Sequence, residues 1–496
     1  MKPGTMAPES ISGLEAWRRA ELPAPPVARG VGLLGVIGPG TIILGVSIGS
    51  GEWLLGPAAF VKHGLALLWV TLVAAIFQTI LNTELMRYTL YTGEPALTGF
   101  MRTRPRAGFW AGVYALLFFV QVGWPGWAGT AAGAVFFLGT GRLATPADAG
   151  AVYVIGAASL LLCVVVLLFG GRIERTLEIL NWVLVVGILG GLLVLCALMA
   201  PAEGWWGALA GFFAYDTRTQ SFSLFPVAAD WALLGALAAY SGAGGVINLM
   251  LSNWARDKGF GMAQLAGYIP TAIGGGQVKL AHTGTVFEPC AENLRRWRAW
   301  WRVIVLDQWG VFFCGALLGM ALPAILYTSF IAAGTDIRGL AVASELAGAM
   351  AEQRGAWLAT AVAVVSVWVL LKTQLDILDG LVRAVTDILW TGSRTLREWR
   401  GGDVRWVYYP LLGLAAAWGL VALRLTQPMQ LLVLGANIGG VAGVISALHI
   451  LRVNTTLLPR ELRPPMWRRV ALVAMAVFYG FFVVLWLNSL WPAATW

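Results

Sequence analysis

The sequence predicts an all-helical protein that crosses a membrane many times, and three observations support this. Hydrophobic residues make up 58% of the 496 positions and charged residues only 12%, whereas soluble domains carry about 25% charged residues. The apolar residues form runs of roughly 20, the length of a transmembrane helix, and not the short alternating segments of a β-barrel. Two of these runs are interrupted by glycine-rich stretches at corresponding positions of the two halves of the chain.

Eleven apolar runs are expected to be transmembrane helices. The first is too long for the apolar core of a signal peptide and is interpreted as a retained span. Spans 1 to 5 and spans 6 to 10 each begin with a glycine-broken helix, which predicts a 5+5 inverted repeat with span 11 added. The predicted spans are residues 31–62, 65–91, 108–139, 150–170, 174–200, 229–252, 303–330, 356–390, 406–423, 428–451 and 468–491.

The domain organisation follows from these spans. A long loop at 253–302 ends in a basic, Trp-rich stretch that we interpret as an interfacial anchor. We expect a cytoplasmic N-terminal tail at 1–30, a first repeat at 31–200, an extracellular loop at 201–228, a second repeat at 229–452, and span 11 with the C-terminus at 453–496.

The net charge of +9 is distributed asymmetrically along the chain. The tail and the connections after the even-numbered spans hold 27 Lys and Arg residues, and the opposite side holds six. The positive-inside rule then places the N-terminus in the cytoplasm and the C-terminus outside, in a bacterial inner (plasma) membrane. The basic charge therefore reflects topology and contact with the lipid bilayer, and no nucleic-acid partner is expected.

Each broken span carries a candidate binding site. Span 1 contains Ser47-Ile48-Gly49-Ser50-Gly51-Glu52 and span 6 contains Tyr240-Ser241-Gly242-Ala243-Gly244-Gly245. A carboxylate at bilayer depth is costly and is usually kept for function, and backbone that leaves a helix there must line protein or water. Paired breaks of this kind are typical of the substrate site of a secondary transporter.

Motifs of enzymes, cofactor sites and ATP-driven pumps are missing from the sequence. The four cysteines include no CxxC pair, and the three histidines form no HExxH pattern. No Walker A or GxSxG motif occurs either. We therefore expect no catalytic residues and no bound cofactor, and a small-molecule substrate as the partner.

Several stretches over residues 31–451 resemble the Nramp family of transporters, which has the LeuT-type fold. The similar stretches are Gly38-Pro39-Gly40 and residues 48–56 in span 1, residues 63–70 after it, and residues 87–93 at the end of span 2. The resemblance implies eleven helices, a 5+5 inverted repeat and transport by alternating access.

The sequence departs from the family at the metal-binding motifs. The family has Asp-Pro-Gly-Asn in span 1, whose Asp and Asn bind the metal, and these positions read Gly49-Ser50-Gly51-Glu52 here. The Met-Pro-His of span 6 aligns with Gly245-Val246-Ile247, so the thioether that favours soft transition metals is missing. The acidic positions of span 3 align with glycines, which favours facilitated or weakly proton-coupled transport.

These replacements remove metal ligands and side-chain volume together. A roomier cavity beside one carboxylate suits a small neutral polar solute, and we expect a monosaccharide such as glucose and no metal site. Sugar sites combine a carboxylate, amides that bond hydroxyl groups, and an aromatic ring. The alternative is a divalent cation, with hydrated Mg²⁺ before Mn²⁺, held by Glu52 and backbone carbonyls.

The candidate site residues lie in and around the breaks. Gln121 and Trp124, at i and i+3 of span 3, are predicted to share a helix face and form an opposite wall. Each polar candidate could instead be an interhelical hydrogen bond that holds the bundle together, and Trp53 could be a packing residue. The predicted substrate-binding residues are Gly49, Ser50, Gly51, Glu52, Trp53, Gln121, Trp124, Tyr240, Ser241, Gly242, Gly245, Asn248 and Asn437.

Span 8 carries a second polar cluster. Lys372, Asp376 and Asp379 are at i, i+4 and i+7 and share a face, and Gln374 lies beside them. Buried charges of this kind normally pair, so we predict a structural or gating ion pair. The alternative is a site for a coupling ion, with the proton as the candidate partner.

Overall fold

The computed structural model describes residues 12–26, 37–169, 173–276 and 278–490, apart from the side chains of Ser50 and Leu184. Half of the predicted tail (1–11 and 27–30), the predicted start of span 1 at 31–36 and the last residues 491–496 lie outside the described residues. In the described part, nine helices are long and apolar enough to cross a membrane, and a tenth candidate is a helix pair bent by 105°. The predicted multi-pass, all-helical membrane protein is confirmed.

The count of eleven spans stays a prediction, because it takes the bent helix pair as one span and the two helices of span 6, which are separated by a break, as another. Numbered as predicted, spans 1 to 5 are Pro39–His63, Leu65–Thr92, Ala107–Thr140, Pro146–Leu168 and Ile173–Met199. Span 6 is Trp231–Tyr240 with Val246–Lys258. Spans 7 to 11 are Ala291–Phe330, Ala356–Gly392, Arg405–Ala422, Pro428–Thr456 and Met466–Leu490.

Short elements connect the spans. The helices Ala96–Met101, Ala202–Gly211, Glu345–Arg354 and Arg394–Glu398 lie between spans, and the last of these leads into a 3₁₀ turn at Trp399–Gly402. Strand Arg18–Arg19 pairs in parallel with Thr285–Val286, and Tyr215–Asp216 pairs antiparallel with Ser221–Phe222. The N-terminal segment is therefore attached to the loop that follows span 6.

Span 1 is the most enclosed helix of the bundle. Its apolar window is fully buried, whereas spans 4, 5 and 11 have no more than a third of theirs buried. Large side chains such as Val154, Val186 and Val484 point outward with 64% of their surface exposed, as expected for helices that face lipid. The polar groups of span 1 and span 6 are thus held at the centre of the protein.

Span 1 stays helical through the stretch that we expected to be unwound. The α-helix Pro39–Ser47 continues as a π-helix over Ile48–Leu55 and returns to an α-helix at Gly56–His63. Pro57 has no backbone N–H to bond the carbonyl four residues earlier, and a wider π turn relieves this mismatch. The prediction that span 1 is broken beside Glu52 is therefore wrong in its detail, although the helix is irregular there.

Span 6 is broken as predicted. The helix Trp231–Tyr240 ends, five residues are non-helical, and Val246–Lys258 begins a new helix. Gly242, Gly244 and Gly245 have φ angles of +106°, +84° and +60°, which side chains with a Cβ rarely adopt. The glycines of this break are therefore required by the backbone conformation.

Candidate functional site

The two irregular segments lie directly against each other. A Cβ added to Gly51 would lie 1.6 Å from the carbonyl oxygen of Tyr240, so the backbone of span 1 touches the end of the first half of span 6. This contact places Glu52, the residue after Gly51, beside the break.

The space that the lost ligands leave is filled by other atoms. A Cβ on Gly49 would lie 1.9 Å from Thr373 Oγ1, and one on Gly245 would lie 2.4 Å from Gln121 Oε1. The expectation of a roomier cavity at these glycines is therefore wrong for this conformation. Small residues here allow helices to approach closely, as they do at other membrane helix interfaces.

Glu52 is fully buried in this contact region. One carboxylate oxygen accepts a short hydrogen bond from the Ser47 hydroxyl, and the other has no hydrogen-bond partner among the described residues. The backbone of Gly242 lies beside the carboxylate, and Gly319 of span 7 packs against its methylene groups. A buried carboxylate oxygen with spare capacity can accept a hydrogen bond from a ligand.

Two glutamines hold the broken backbone of span 6. Gln121 Nε2 donates to the Gly244 carbonyl at 3.0 Å, and Gln121 Oε1 accepts from the Val246 amide at 2.9 Å. Gln78 of span 2 donates to the Ser241 carbonyl at 3.0 Å and accepts from the Gly244 amide at 2.9 Å. These bonds satisfy helix-end groups that have no intrahelical partner.

An aromatic pair flanks the same break. The rings of Trp127 and Tyr240 are stacked with centroids 6.3 Å apart, and both residues are fully buried. The indole N–H of Trp127 has no hydrogen-bond partner among the described residues, whereas the hydroxyl of Tyr240 faces the Gln121 side chain. Asn248 donates to Asn82 Oδ1 at 2.8 Å, while its own Oδ1 is also unpartnered there.

Three predicted site residues lie elsewhere. Trp124 bonds the Val120 carbonyl and packs against Trp418, at the wall of an apolar pocket between spans 3, 8 and 9. Trp53 donates to Ser366 at 3.1 Å, and its ring meets Tyr327 edge-on.

Asn437 bonds the carbonyls of Ala232 and Val433. It therefore joins span 10 to the start of span 6 instead of facing the break. Trp53, Asn437 and Trp124 are thus placed as packing or bundle-joining residues in this conformation.

The span 8 charges form two separate groups. Lys372 pairs with Asp376 at 2.5 Å, and Asn181 of span 5 donates to the same carboxylate. Asp379 does not share this lysine, because Arg383 holds it with two hydrogen bonds of 3.0 and 2.9 Å.

Other groups complete these two contacts. Tyr408 and Trp254 also donate to Asp379. Gln374 accepts from the backbone of Ala128 at 3.2 Å. The span 8 face thus joins spans 3, 5, 6 and 9, which favours the structural or gating interpretation.

Sequence reasoning missed Gln78, Asn82 and Arg383. Gln78 and Asn82 are four residues apart in an otherwise apolar span, a pattern that places two amides on one face toward a partner. Arg383 stands four residues after Asp379, which is ion-pair spacing on a helix. Within the described residues, no group of three or more His, Cys, Asp and Glu side chains could hold a metal ion.

The fold is shared with solved transporters. A histidine-to-alanine mutant of the Eremococcus coleocola manganese transporter matches with TM-score 0.63 and 15% identity, over 97% of this chain and 90% of that one. The same transporter in complex with an aromatic bis-isothiourea compound gives TM-score 0.60 and 14% identity, over 98% and 91% of the two chains.

A second transporter family shares the fold as well. Mhp1, a nucleobase-cation-symport-1 family transporter, matches with TM-score 0.51 and 16% identity, over 98% of this chain and 97% of that one. No protein-family model matches the chain, and no curated protein matches it either. The fold is thus the LeuT type found in secondary transporters, and the Nramp resemblance is confirmed at the level of the fold.

Proposed function

We propose that this membrane protein is a secondary transporter for a small neutral polar organic solute, with a monosaccharide such as glucose as the substrate class. Transport would proceed by alternating access and be facilitated or weakly proton-coupled. One observation carries the choice of a neutral solute: the unpartnered buried groups around the break are a mixture of donors and acceptors.

The mixture distinguishes a hydroxylated solute from a cation. Glu52 Oε2 and Asn248 Oδ1 can accept a hydrogen bond, and the Trp127 N–H can only donate one. A hydroxyl group uses both kinds of partner, whereas a cation binds acceptors and is opposed by an N–H donor. The stacked rings of Trp127 and Tyr240 offer an apolar surface for a sugar face.

Polar contacts join span 1 and its neighbours on both sides of the central site, as the closures of an alternating-access transporter would. On the side of the N-terminus, Asp307 accepts from the amides of Gly38 and Gly40 at 3.0 and 2.8 Å, and Lys258 pairs with Glu178. On the opposite side, Lys62 pairs with Asp230 at 2.8 Å. A solute would need one of these closures to open and spans 1 and 6 to separate around it.

The alternative substrate is a divalent cation, Mg²⁺ before Mn²⁺. The observation that favours it is the fold shared with a manganese transporter. The two acceptor oxygens of Glu52 and Asn248 would then be ligands and backbone carbonyls or waters would complete the shell.

Uptake into proteoliposomes distinguishes the two substrates. We expect parent protein to take up labelled glucose, and Glu52→Gln to weaken glucose affinity by roughly 10- to 100-fold, since a charge-assisted bond to a hydroxyl is lost. Trp127→Phe should weaken uptake. Trp124→Phe, the matched control in the apolar pocket between spans 3, 8 and 9, should not. If the parent protein transports Mg²⁺ or Mn²⁺ but takes up no sugar, the proposal is wrong.

Calorimetry gives an independent check on the metal. The Asp, Met and His positions of the Nramp motifs read Gly49, Gly245 and Ile247 here, so we expect no tight Mn²⁺ binding to the purified protein. Tight Mn²⁺ binding that is lost in Glu52→Ala would support the cation instead.

A further inference from the structure

A basic pocket lies outside the central site, where spans 8 and 9 meet the loop after span 6. It has a volume of about 980 Å³ and is lined by Lys279, His282, Arg394, Arg397 and Arg400, together with acidic residues and tryptophans. This volume is in the range of small-molecule sites, about 300–1,000 Å³. Neither the fold comparison nor the transport site assigns it a role.

Two of the cations in this pocket have no acidic partner. Arg394 pairs with Glu398 and Arg397 lies 3.6 Å from Glu15, but neither Lys279 nor Arg400 forms an ion pair within the described residues. Both side chains are exposed. Their charge is therefore available to an anion from outside the chain.

One of the three carboxylates that line the pocket meets two of its basic residues. The Glu15 carboxylate, from the N-terminal segment, lies 2.8 Å from His282 Nε2 and 3.6 Å from Arg397. The hydrogen bond with His282, with the charges of His282 and Arg397, lowers the pKa of Glu15 below its usual value. The groups at this end are thus arranged to stabilise a negative charge.

Tryptophans indicate the depth of the pocket in the membrane. Trp399 and Trp406 are 45% and 44% exposed, and the Arg400 guanidinium lies over both rings, at 5.7 and 4.5 Å from their centres. Exposed tryptophan beside arginine at the ends of transmembrane helices is typical of the headgroup region. The end of span 8 and the start of span 9 border the pocket, which places it at that level.

We propose that this pocket binds the phosphate of an anionic glycerophospholipid, held by Lys279 and Arg400 with its glycerol region beside Trp406. The predicted topology places the pocket on the cytoplasmic side, where anionic lipids attract basic groups. A water-soluble phosphate ester shares the headgroup chemistry, but exposed tryptophan at headgroup depth favours the lipid. The proposal is independent of the transported substrate.

Lipid binding to the purified full-length protein tests the proposal. Phosphatidylglycerol is titrated into protein in neutral detergent, with phosphatidylcholine as the uncharged comparison, and bound lipid is counted by native mass spectrometry. We expect retention of phosphatidylglycerol only. The double variant Lys279→Gln/Arg400→Gln should bind phosphatidylglycerol roughly 10- to 30-fold more weakly, because it lacks two basic groups that each attract the anionic lipid.

A matched control removes the same charge elsewhere. Arg218 and Arg354 are exposed on the side of the protein that is predicted to face outward, and Arg218→Gln/Arg354→Gln should leave phosphatidylglycerol binding unchanged. Equal binding by the pocket variant and the parent, or an equal loss in the control pair, would overturn the proposal. Thermal unfolding in neutral detergent confirms that both double variants are folded.

Two further measurements separate the source of the phosphate and the role of Glu15. Glycerol phosphate should not displace phosphatidylglycerol. Displacement at equal concentration would show that the pocket binds soluble phosphate esters and would overturn the lipid proposal. Glu15→Gln should tighten phosphatidylglycerol binding, because His282 and Arg397 are released from the internal carboxylate. Weaker binding by Glu15→Gln would contradict the anion-binding arrangement.

Discussion

Spans 1 and 6 both carry glycine-rich interruptions, but the glycines serve different purposes. In span 1 the chain stays helical, and Gly49 and Gly51 allow Thr373 and the Tyr240 carbonyl to approach. In span 6 the chain leaves the helix, and three glycines adopt positive φ angles. The same residue type thus provides close packing in one span and backbone freedom in the other.

The difference extends to how each span is held. The break in span 6 frees backbone groups that Gln78 and Gln121 bond. The ion pair between Arg383 of span 8 and Asp257 joins the second half of span 6 to span 8. Span 1 needs no such side-chain replacement, because its π turn keeps the backbone bonded. A broken membrane helix therefore requires polar side chains from its neighbours, and an irregular one does not.

The largest expected effect comes from removing the charge that anchors the second half of span 6. Arg383 is fully buried between Asp379 and Asp257. Arg383→Met should lower the free energy of unfolding in detergent by about 3–5 kcal/mol, because it leaves the buried Asp379 carboxylate without a cationic partner. Chemical denaturation would measure this.

Two controls sharpen that experiment. Arg394→Met breaks an exposed pair with Glu398 and should cost about 0–1 kcal/mol. Adding Asp379→Asn and Asp257→Asn to Arg383→Met should recover part of the loss. A loss no larger than that of Arg394→Met would mean that the buried cluster does not anchor span 6.

A smaller effect is expected where amide side chains replace helical hydrogen bonds. Gln78→Ala removes partners of the Ser241 carbonyl and the Gly244 amide, and should cost about 2–4 kcal/mol from buried groups left unbonded. Gln430→Ala, an exposed glutamine of span 10, is the control and should change the unfolding midpoint little. Equal midpoints for the two variants would contradict the capping role.

The two kinds of glycine should respond differently to suppressor substitutions. Gly49→Ala clashes with the Thr373 side chain, so adding Thr373→Ala should recover part of the lost stability. Gly242→Ala is strained by its φ of +106°, although the nearest side chain is Gln78, and shortening Gln78 should recover nothing. Expression yield and unfolding midpoints of the single and double variants would show this. If Gln78→Ala restored the stability lost in Gly242→Ala, the glycine of span 6 would be needed for close packing, as in span 1, and not for its backbone conformation.

The smallest effect is expected where the end of span 1 meets the start of span 6. Lys62, at the end of span 1, pairs with Asp230, which caps the first helix of span 6 by accepting from the Leu233 amide. Lys62→Met should cost about 0–1 kcal/mol as a partly exposed pair, and Asp230→Ala should cost about 1 kcal/mol more through the lost cap. If Lys62→Met lowered the unfolding midpoint more than Asp230→Ala does, the ion pair would contribute more than the helix cap, contrary to this prediction.

Sequence reasoning located the polar centre but not all of its contacts. Gln121 was predicted to line the substrate site and bonds the broken backbone of span 6, but its predicted place beside Trp124 on one helix face was wrong. The helix stops at Val122 and restarts at Gly126, so the i, i+3 relation does not hold across the kink. Trp127, beyond Pro125, meets Tyr240 instead.

Local sequence patterns were enough to predict the membrane class, the position of most helices and the two irregular segments. Apolar runs and the conformational freedom of glycine are local properties, and local properties can be predicted from neighbouring residues. The sequence also determined that Glu52 is a carboxylate within an apolar span, which marks the centre of the protein.

The contact that each polar side chain makes depends on how the helices pack in the folded protein. Helical periodicity gives the face of a residue on its own helix but not the rotation of the helix that packs against it. Thus Asp379 shares a face with Lys372 and yet bonds Arg383, and glycines that suggested open space are covered by Thr373 and Gln121. Packing between spans distant in the chain sets these partners, and no local pattern records it.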